Sequence, residues 1–117
     1  MAKKILIVDD DPAVVQFLEE IFQDNGYATE VAYNGVQGLE KIQAARPDLV
    51  TLDMDMPEKG GTLFYSGLRK LEALKDTPVI VISGVGPRPP VIKKEIPTLQ
   101  KPVAPDDLLK LVKEVLA

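Results

Sequence analysis

The sequence predicts an α/β protein, a parallel sheet covered on both faces by helices. Three observations lead there. Short apolar, β-branched runs at 5–8, 49–52 and 79–82 are separated by stretches whose apolar residues recur at helical spacing. The run at 79–82 is apolar throughout rather than alternating, as in a strand buried on both faces. Each of the three runs ends on a polar residue, Asp9, Asp53 or Ser83. A chain of 117 residues, 45% apolar and 27% charged, suits one domain spanning 1–117.

The first strand, 5–8, is ended by Asp9-Asp10-Asp11. Pro12 suits a first helical turn, where its missing N–H costs nothing, and Asp11 suits the cap before it. Val14, Val15, Leu18, Ile21 and Phe22 share a face of that helix, and Gly26 suits the position that closes it. A second strand is expected over 28–32. Thr29 and Glu30 break its alternation, which suits a sheet edge. Asn34-Gly35 signals a turn, and Val36, Leu39 and Ile42 mark a second helix stopped by Arg46-Pro47. The third strand, 49–52, runs into Asp53. After a loop at 57–61, Phe64, Leu68 and Leu71 indicate a third helix, and 79–82 a fourth strand. The rhythm then breaks: Gly84, Gly86, Pro87, Pro89, Pro90 and Pro97 leave room for one helical turn at most, near 91–95. A short fifth strand at 96–100 precedes a last helix with Leu108, Leu109, Val112, Val115 and Leu116 facing inward.

Composition limits the chemistry. The chain has no Cys and no His, so thiolate chemistry, histidine bases and the usual zinc ligands are excluded. Carboxylates, hydroxyls and amines remain. A net charge of −4 argues against a general nucleic-acid or anionic-membrane binder. Lys3-Lys4 before four apolar residues is too short for a signal peptide, and no segment has the apolar length of a bilayer span. A cytoplasmic protein is expected.

In a parallel sheet with helical crossovers, the functional crevice lies outside the carboxyl ends of the strands. Asp9 and Asp10, Asp53, Ser83 and Lys101 follow the first, third, fourth and fifth strands, so one edge carries them all. Asp55 brings its backbone carbonyl close to the same place. Carboxylates converging within roughly 4–6 Å repel by some kcal/mol per pair, and such a cluster needs a cation. Oxygen ligands without His favour Mg²⁺. Lys101 adds positive charge and Ser83 a hydroxyl donor. The set suits a transferring phosphoryl group with Asp53 as its nucleophile. Singly, each residue has a plainer role: Asp9 to Asp11 as a helix cap, Asp53 as a turn residue, Ser83-Gly84 as a loop opening, Lys101-Pro102 as a strand end. The weight comes from their joint order.

On these residues the chain resembles the receiver domain of two-component response regulators. The resemblance is carried by Leu6-Ile7-Val8-Asp9-Asp10-Asp11-Pro12, by 47–57 (Pro-Asp-Leu-Val-Thr-Leu-Asp-Met-Asp-Met-Pro), by Gly61, by 77–84 (Thr-Pro-Val-Ile-Val-Ile-Ser-Gly) and by Lys101-Pro102. It spans essentially the whole chain. It implies a doubly wound, flavodoxin-like five-stranded parallel sheet in the order 2-1-3-4-5. It also implies that Asp53 accepts a phosphoryl group from a phosphohistidine on a sensor histidine kinase or histidine phosphotransfer protein. Asp10 would ligate Mg²⁺, Asp9 would do so directly or through water, and Asp53 with the Asp55 carbonyl would complete the protein ligands. Lys101 would pair with the phosphoryl oxygens, its bond to Pro102 cis. Ser83 would move toward Asp53 and reshape 84–97, changing how an unknown downstream protein binds through the 83–101 region. Beyond phosphorylation and water-driven dephosphorylation at Asp53, no enzyme activity is implied.

Three departures from the family pattern stand out. Thr98 occupies the place of an aromatic switch residue. The stretch from Ser83 to Lys101 is about one helical turn short, so the fourth helix of the family is expected to be reduced or missing. Asp55 puts a carboxyl at a position that influences phosphoryl lifetime, or else a solvated loop acid. Two rival functions follow. The helix loss favours an interaction module that is never phosphorylated. Asp53-Met54-Asp55 resembles the D-x-D of haloacid-dehalogenase-like phosphatases, although those carry it on the first strand of a longer chain.

Overall fold

The apolar runs pair side by side in a computed structural model that describes residues 2–84 and 95–117. In chain order the elements are β1 (Lys4–Val8), α1 (Pro12–Asp24), β2 (Ala28–Ala32), α2 (Gly35–Ala45) and β3 (Leu49–Asp53). A 3-10 turn (Pro57–Lys59), α3 (Gly60–Arg69), β4 (Val79–Ser83), β5 (Thr98–Gln100) and α4 (Pro105–Leu116) follow. The sheet is parallel throughout and ordered β2-β1-β3-β4-β5. This is the doubly wound arrangement expected, with its topological switch between β1 and β3.

Burial on two faces explains the largely apolar strands. Leu6, Val8, Val50, Leu52, Val79 and Val81 pack on one side against Ile42 of α2 and Phe64 and Leu68 of α3. Ile5, Ile7, Leu49, Ile80 and Ile82 pack on the other against Val15, Leu18 and Phe22 of α1 and Leu108 and Val112 of α4. Each such side chain contributes about 1.5–3 kcal/mol by leaving water. β2 lies at the edge, as its pattern predicts, with Ala28 to Val31 only half-buried.

Local signals set most boundaries. The Asp11 carboxylate accepts from the Ala13 N–H at 2.9 Å, with Pro12 opening α1, and Gly26 follows that helix at φ 88°. Asn34, expected as a turn residue, also caps α2 by accepting from the Gln37 N–H at 2.8 Å. Arg46 closes α2 in the left-handed region at φ 47°.

Elsewhere the boundaries shift. α3 begins at Gly60, inside the expected loop, and ends at Arg69, so Leu71 packs on the core from beyond the helix. The Arg69 guanidinium donates to the carbonyls of Lys75 and Thr77, tying down the turn that replaces another helical turn. β5 starts at Thr98 rather than at 96, because Pro97 has no N–H for the ladder, although its carbonyl accepts from the Val81 N–H at 2.8 Å. In α4 only Leu108 and Val112 are fully buried; Leu109, Val115 and Leu116 are half-buried at the rim. The expected reduction of the helix between β4 and β5 falls on 85–94, outside the described residues.

Candidate functional site

Parallel register brings the strand ends together. Val8 pairs with Leu52, Asp53 with Ile82, and Ser83 with Gln100. The chain therefore leaves β1, β3, β4 and β5 along one edge, at Asp9, Asp53, Ser83 and Lys101. Backbone bonds past the strands hold that edge: Asp9 N–H to the Ala32 carbonyl at 3.1 Å, Met54 N–H to Ile82 at 3.1 Å, and Lys101 N–H to Ser83 at 2.9 Å. The Lys101-Pro102 bond is cis.

Asp9 and Asp53 are 1% and 2% exposed, whereas Asp10 faces solvent. One carboxylate oxygen from each of the three lies within 4.8 Å of the others. Two turn amides orient the buried pair: the Asp11 N–H donates to Asp9 Oδ1 and the Asp55 N–H to Asp53 Oδ1, both at 2.9 Å. Lys101 Nζ lies 3.2 Å from Asp53 Oδ1 and 3.5 Å from Asp9 Oδ2. The Asp9 contact is an ion pair without a hydrogen bond, since Asp9 Oδ2 is buried with no hydrogen-bond partner.

The charges do not balance. At 4.8 Å and an effective dielectric near 20, two carboxylates repel by about 3–4 kcal/mol. One ammonium faces three carboxylates, leaving an excess of two negative charges when all are ionised. Burial, opposed by the Asp55 N–H and reinforced by the Asp9 charge, pushes the Asp53 carboxyl up to about 6; Lys101 pulls the other way. Partial burial draws the Lys101 ammonium down, but Asp53 and Asp9 outweigh it and hold it above its ordinary value. A buried Asp9 oxygen held by an ion pair but no hydrogen bond, and two uncompensated charges in an all-oxygen donor set, fit a divalent cation such as Mg²⁺.

Two residues singled out in the sequence acquire their roles only in the structure. The Asp55 side chain is exposed yet engaged: Ser83 Oγ lies 3.5 Å from its Oδ1, and the Gly84 N–H donates to its Oδ2. The spacing of two residues from Asp53 was a signal that Asp55 stays at this edge, but not that its carboxylate reaches β4. Gly61 is the second. A Cβ there would stand 2.8 Å from the Asp53 carbonyl and 2.9 Å from Met54 Cα, so only glycine lets α3 start this close beneath the Asp53 turn.

With that geometry established, residues 5–113 match the model of the response regulator receiver domain family. The chain belongs to that family. Receiver domains are signalling domains of two-component systems, not classical enzymes, and they interact with histidine kinases and downstream effectors. This receiver is 32% identical over 117 residues to protein Rrf1 of Nitratidesulfovibrio vulgaris, covering 100% of this chain and 85% of that protein. It is 40% identical over 83 residues to the response regulator MprA of Mycobacterium ulcerans, covering 71% of this chain and 35% of MprA. The structure of the chemotaxis protein CheY4 of Vibrio cholerae aligns with a TM-score of 0.88 at 31% identity, covering 99% of this chain and 100% of that one. The signal receiver domain of a signal transduction histidine kinase from Syntrophus aciditrophicus gives 0.87 at 30%, covering 98% and 90%. Among the described residues, no helix of this receiver is long and apolar enough to cross a membrane.

Proposed function

We propose that residues 1–117 form a single cytoplasmic receiver domain that takes a phosphoryl group onto Asp53 from a phosphohistidine on a sensor kinase or histidine phosphotransfer protein. The carrying observation is the charge-imbalanced set of Asp9, Asp10, Asp53 and Lys101 at the strand ends. The Asp55 N–H and Lys101 both hold Asp53 Oδ1, leaving Oδ2 to attack. An Asp53 O–P bond forms as the phosphohistidine N–P bond breaks, and the imidazole leaves with that electron pair and takes up a proton. Mg²⁺, held by Asp9, Asp10, Asp53 and the backbone carbonyl of Asp55, would supply charge neutralisation at the phosphoryl oxygens. Lys101 pairs with one phosphoryl oxygen, and Ser83 donates to another after moving toward Asp53. An in-line water later hydrolyses the acyl phosphate. The change at Ser83 alters binding of a downstream protein through the 83–101 region.

The expected loss of the family's fourth helix favours a second reading, an interaction module without phosphorylation, and Thr98, half-buried at the start of β5, stands where the family has an aromatic switch residue. Mass spectrometry after incubation with Mg²⁺ and a small phosphodonor separates the two. One phosphoryl adduct is expected, absent in Asp53→Asn and absent in EDTA. No adduct, with no Mg²⁺ binding by titration, overturns the phosphoacceptor reading in favour of the second.

A further inference from the structure

We propose that the Asp55 side chain is a latch, a positioning group that holds Ser83 and Gly84 in the resting state and must surrender them to a phosphoryl group on Asp53. The inference rests on the phosphoacceptor reading and deepens it. One residue bridges the two halves of the site. Its N–H orients the nucleophile by donating to Asp53 Oδ1 at 2.9 Å, while its carboxylate engages the end of β4. Oδ2 accepts from the Gly84 N–H, and Oδ1 lies 3.5 Å from Ser83 Oγ. An N–H to carboxylate bond is charge-assisted and among the stronger hydrogen bonds in proteins.

Gly84 shows how closely the contact is built. A Cβ on residue 84 would stand 3.0 Å from Asp55 Oδ2, closer than side chains ordinarily tolerate. With the bare glycine the carboxylate reaches the amide without having to give way by a few tenths of an ångström.

Competition follows from the chemistry. A phosphoryl group brings up to two negative charges and three acceptor oxygens, which seek the same kind of donor that Asp55 already occupies. The group also repels Asp55, whose backbone adjoins the phosphorylated side chain. Two anions cannot share one amide and one hydroxyl, so phosphorylation displaces the Asp55 carboxylate. The free energy of the resting clasp is then subtracted from the affinity of the site for a phosphoryl group. Asp55 thereby sets the threshold at which Ser83 and Gly84 move.

Beryllofluoride with Mg²⁺, a non-covalent mimic of the phosphoryl group, provides the test on the whole chain. It is titrated into wild type, Asp55→Ala and Asp55→Asn, with amide spectra recorded by NMR. Asp55→Ala should bind the mimic at least about tenfold more tightly than wild type, because a charge-assisted bond no longer competes. Asp55→Asn should fall between them, since its amide oxygen still accepts from Gly84 without the charge. In the metal-free wild type, the Gly84 amide proton should resonate downfield, and it should move upfield in metal-free Asp55→Ala. Equal or weaker mimic binding by Asp55→Ala, or a Gly84 amide indifferent to that substitution, overturns the latch while leaving the phosphoacceptor reading intact. A wild type that binds no beryllofluoride fails the phosphoacceptor reading itself and takes the latch with it.

Discussion

Replacing Asp53 by asparagine removes the buried carboxyl whose ionisation is most opposed by its surroundings. Its pKa stands at about 6 against an ordinary value of 3.8, with burial as the main cause. At 1.36 kcal/mol per pKa unit, that difference corresponds to about 3 kcal/mol. The sign follows from linkage: the native carboxyl holds its proton more tightly than the unfolded one. Wild-type stability from this group is therefore fully present below about pH 4 and is lost as pH rises through about 6. Asparagine has no such loss, but it also weakens the hydrogen bond from the Asp55 N–H and the partnership with Lys101. The expected result in EDTA at pH 7.5 is a variant more stable by about 1–3 kcal/mol, or roughly 4 °C of Tm per kcal/mol. The gap should close toward pH 4. Mg²⁺ at twenty times its Kd should add about 1.8 kcal/mol to wild type. Asp53→Asn has lost one of the proposed ligands and should gain less, so the gap narrows. Thermal unfolding followed by circular dichroism between pH 4.5 and 8, with EDTA or Mg²⁺, measures all of these. A variant less stable than wild type in EDTA at pH 7.5, or a gap that ignores pH, would refute the electrostatic account of the site.

Lys101→Met should push the Asp53 carboxyl further above 6, destabilise the metal-free protein by about 1–3 kcal/mol and slow phosphorylation at least about tenfold. Urea unfolding and phosphodonor kinetics check it. Gly61→Ala places a Cβ against the Asp53 carbonyl and Met54, so it should cost at least about 1 kcal/mol net of the better helix propensity and slow phosphorylation as the turn shifts. Stability and adduct formation measured on the same sample would show both effects. Asp11→Ala deletes the cap on α1 and should cost about 1 kcal/mol, detectable as a lowered urea midpoint with an unchanged slope.

Much of this receiver was legible because its signals are local. A strand buried on both faces is apolar at nearly every position, so Ile5 to Val8 and Val79 to Ile82 declared themselves, and Leu49 to Leu52 did so despite the buried Thr51. Asp11 and Pro12 start a helix by chemistry confined to one turn. Right-handed crossovers then bring strand ends to one edge, which is how Asp9, Asp10, Asp53, Ser83 and Lys101 could be grouped in advance. Helix length was less legible: Leu71 keeps the helical period, but the Arg69 guanidinium ends α3 by bonding carbonyls at 75 and 77. No periodicity records a side chain reaching forward to a turn.

By itself, then, the sequence determined the order of elements, the two-sided core and the acidic, oxygen-only character of the site, all of which depend on residue type and spacing along the chain. Only the tertiary structure decided how the site's atoms meet. The pairing of Asp53 with Ile82 sets the height at which the turn after β3 stands beside the end of β4. From there the Asp55 carboxylate reaches Gly84, and Lys101 divides itself between Asp53 and the buried Oδ2 of Asp9. These contacts join segments far apart in the chain across a few ångströms. They depend on strand register and close packing, which spacing alone does not specify.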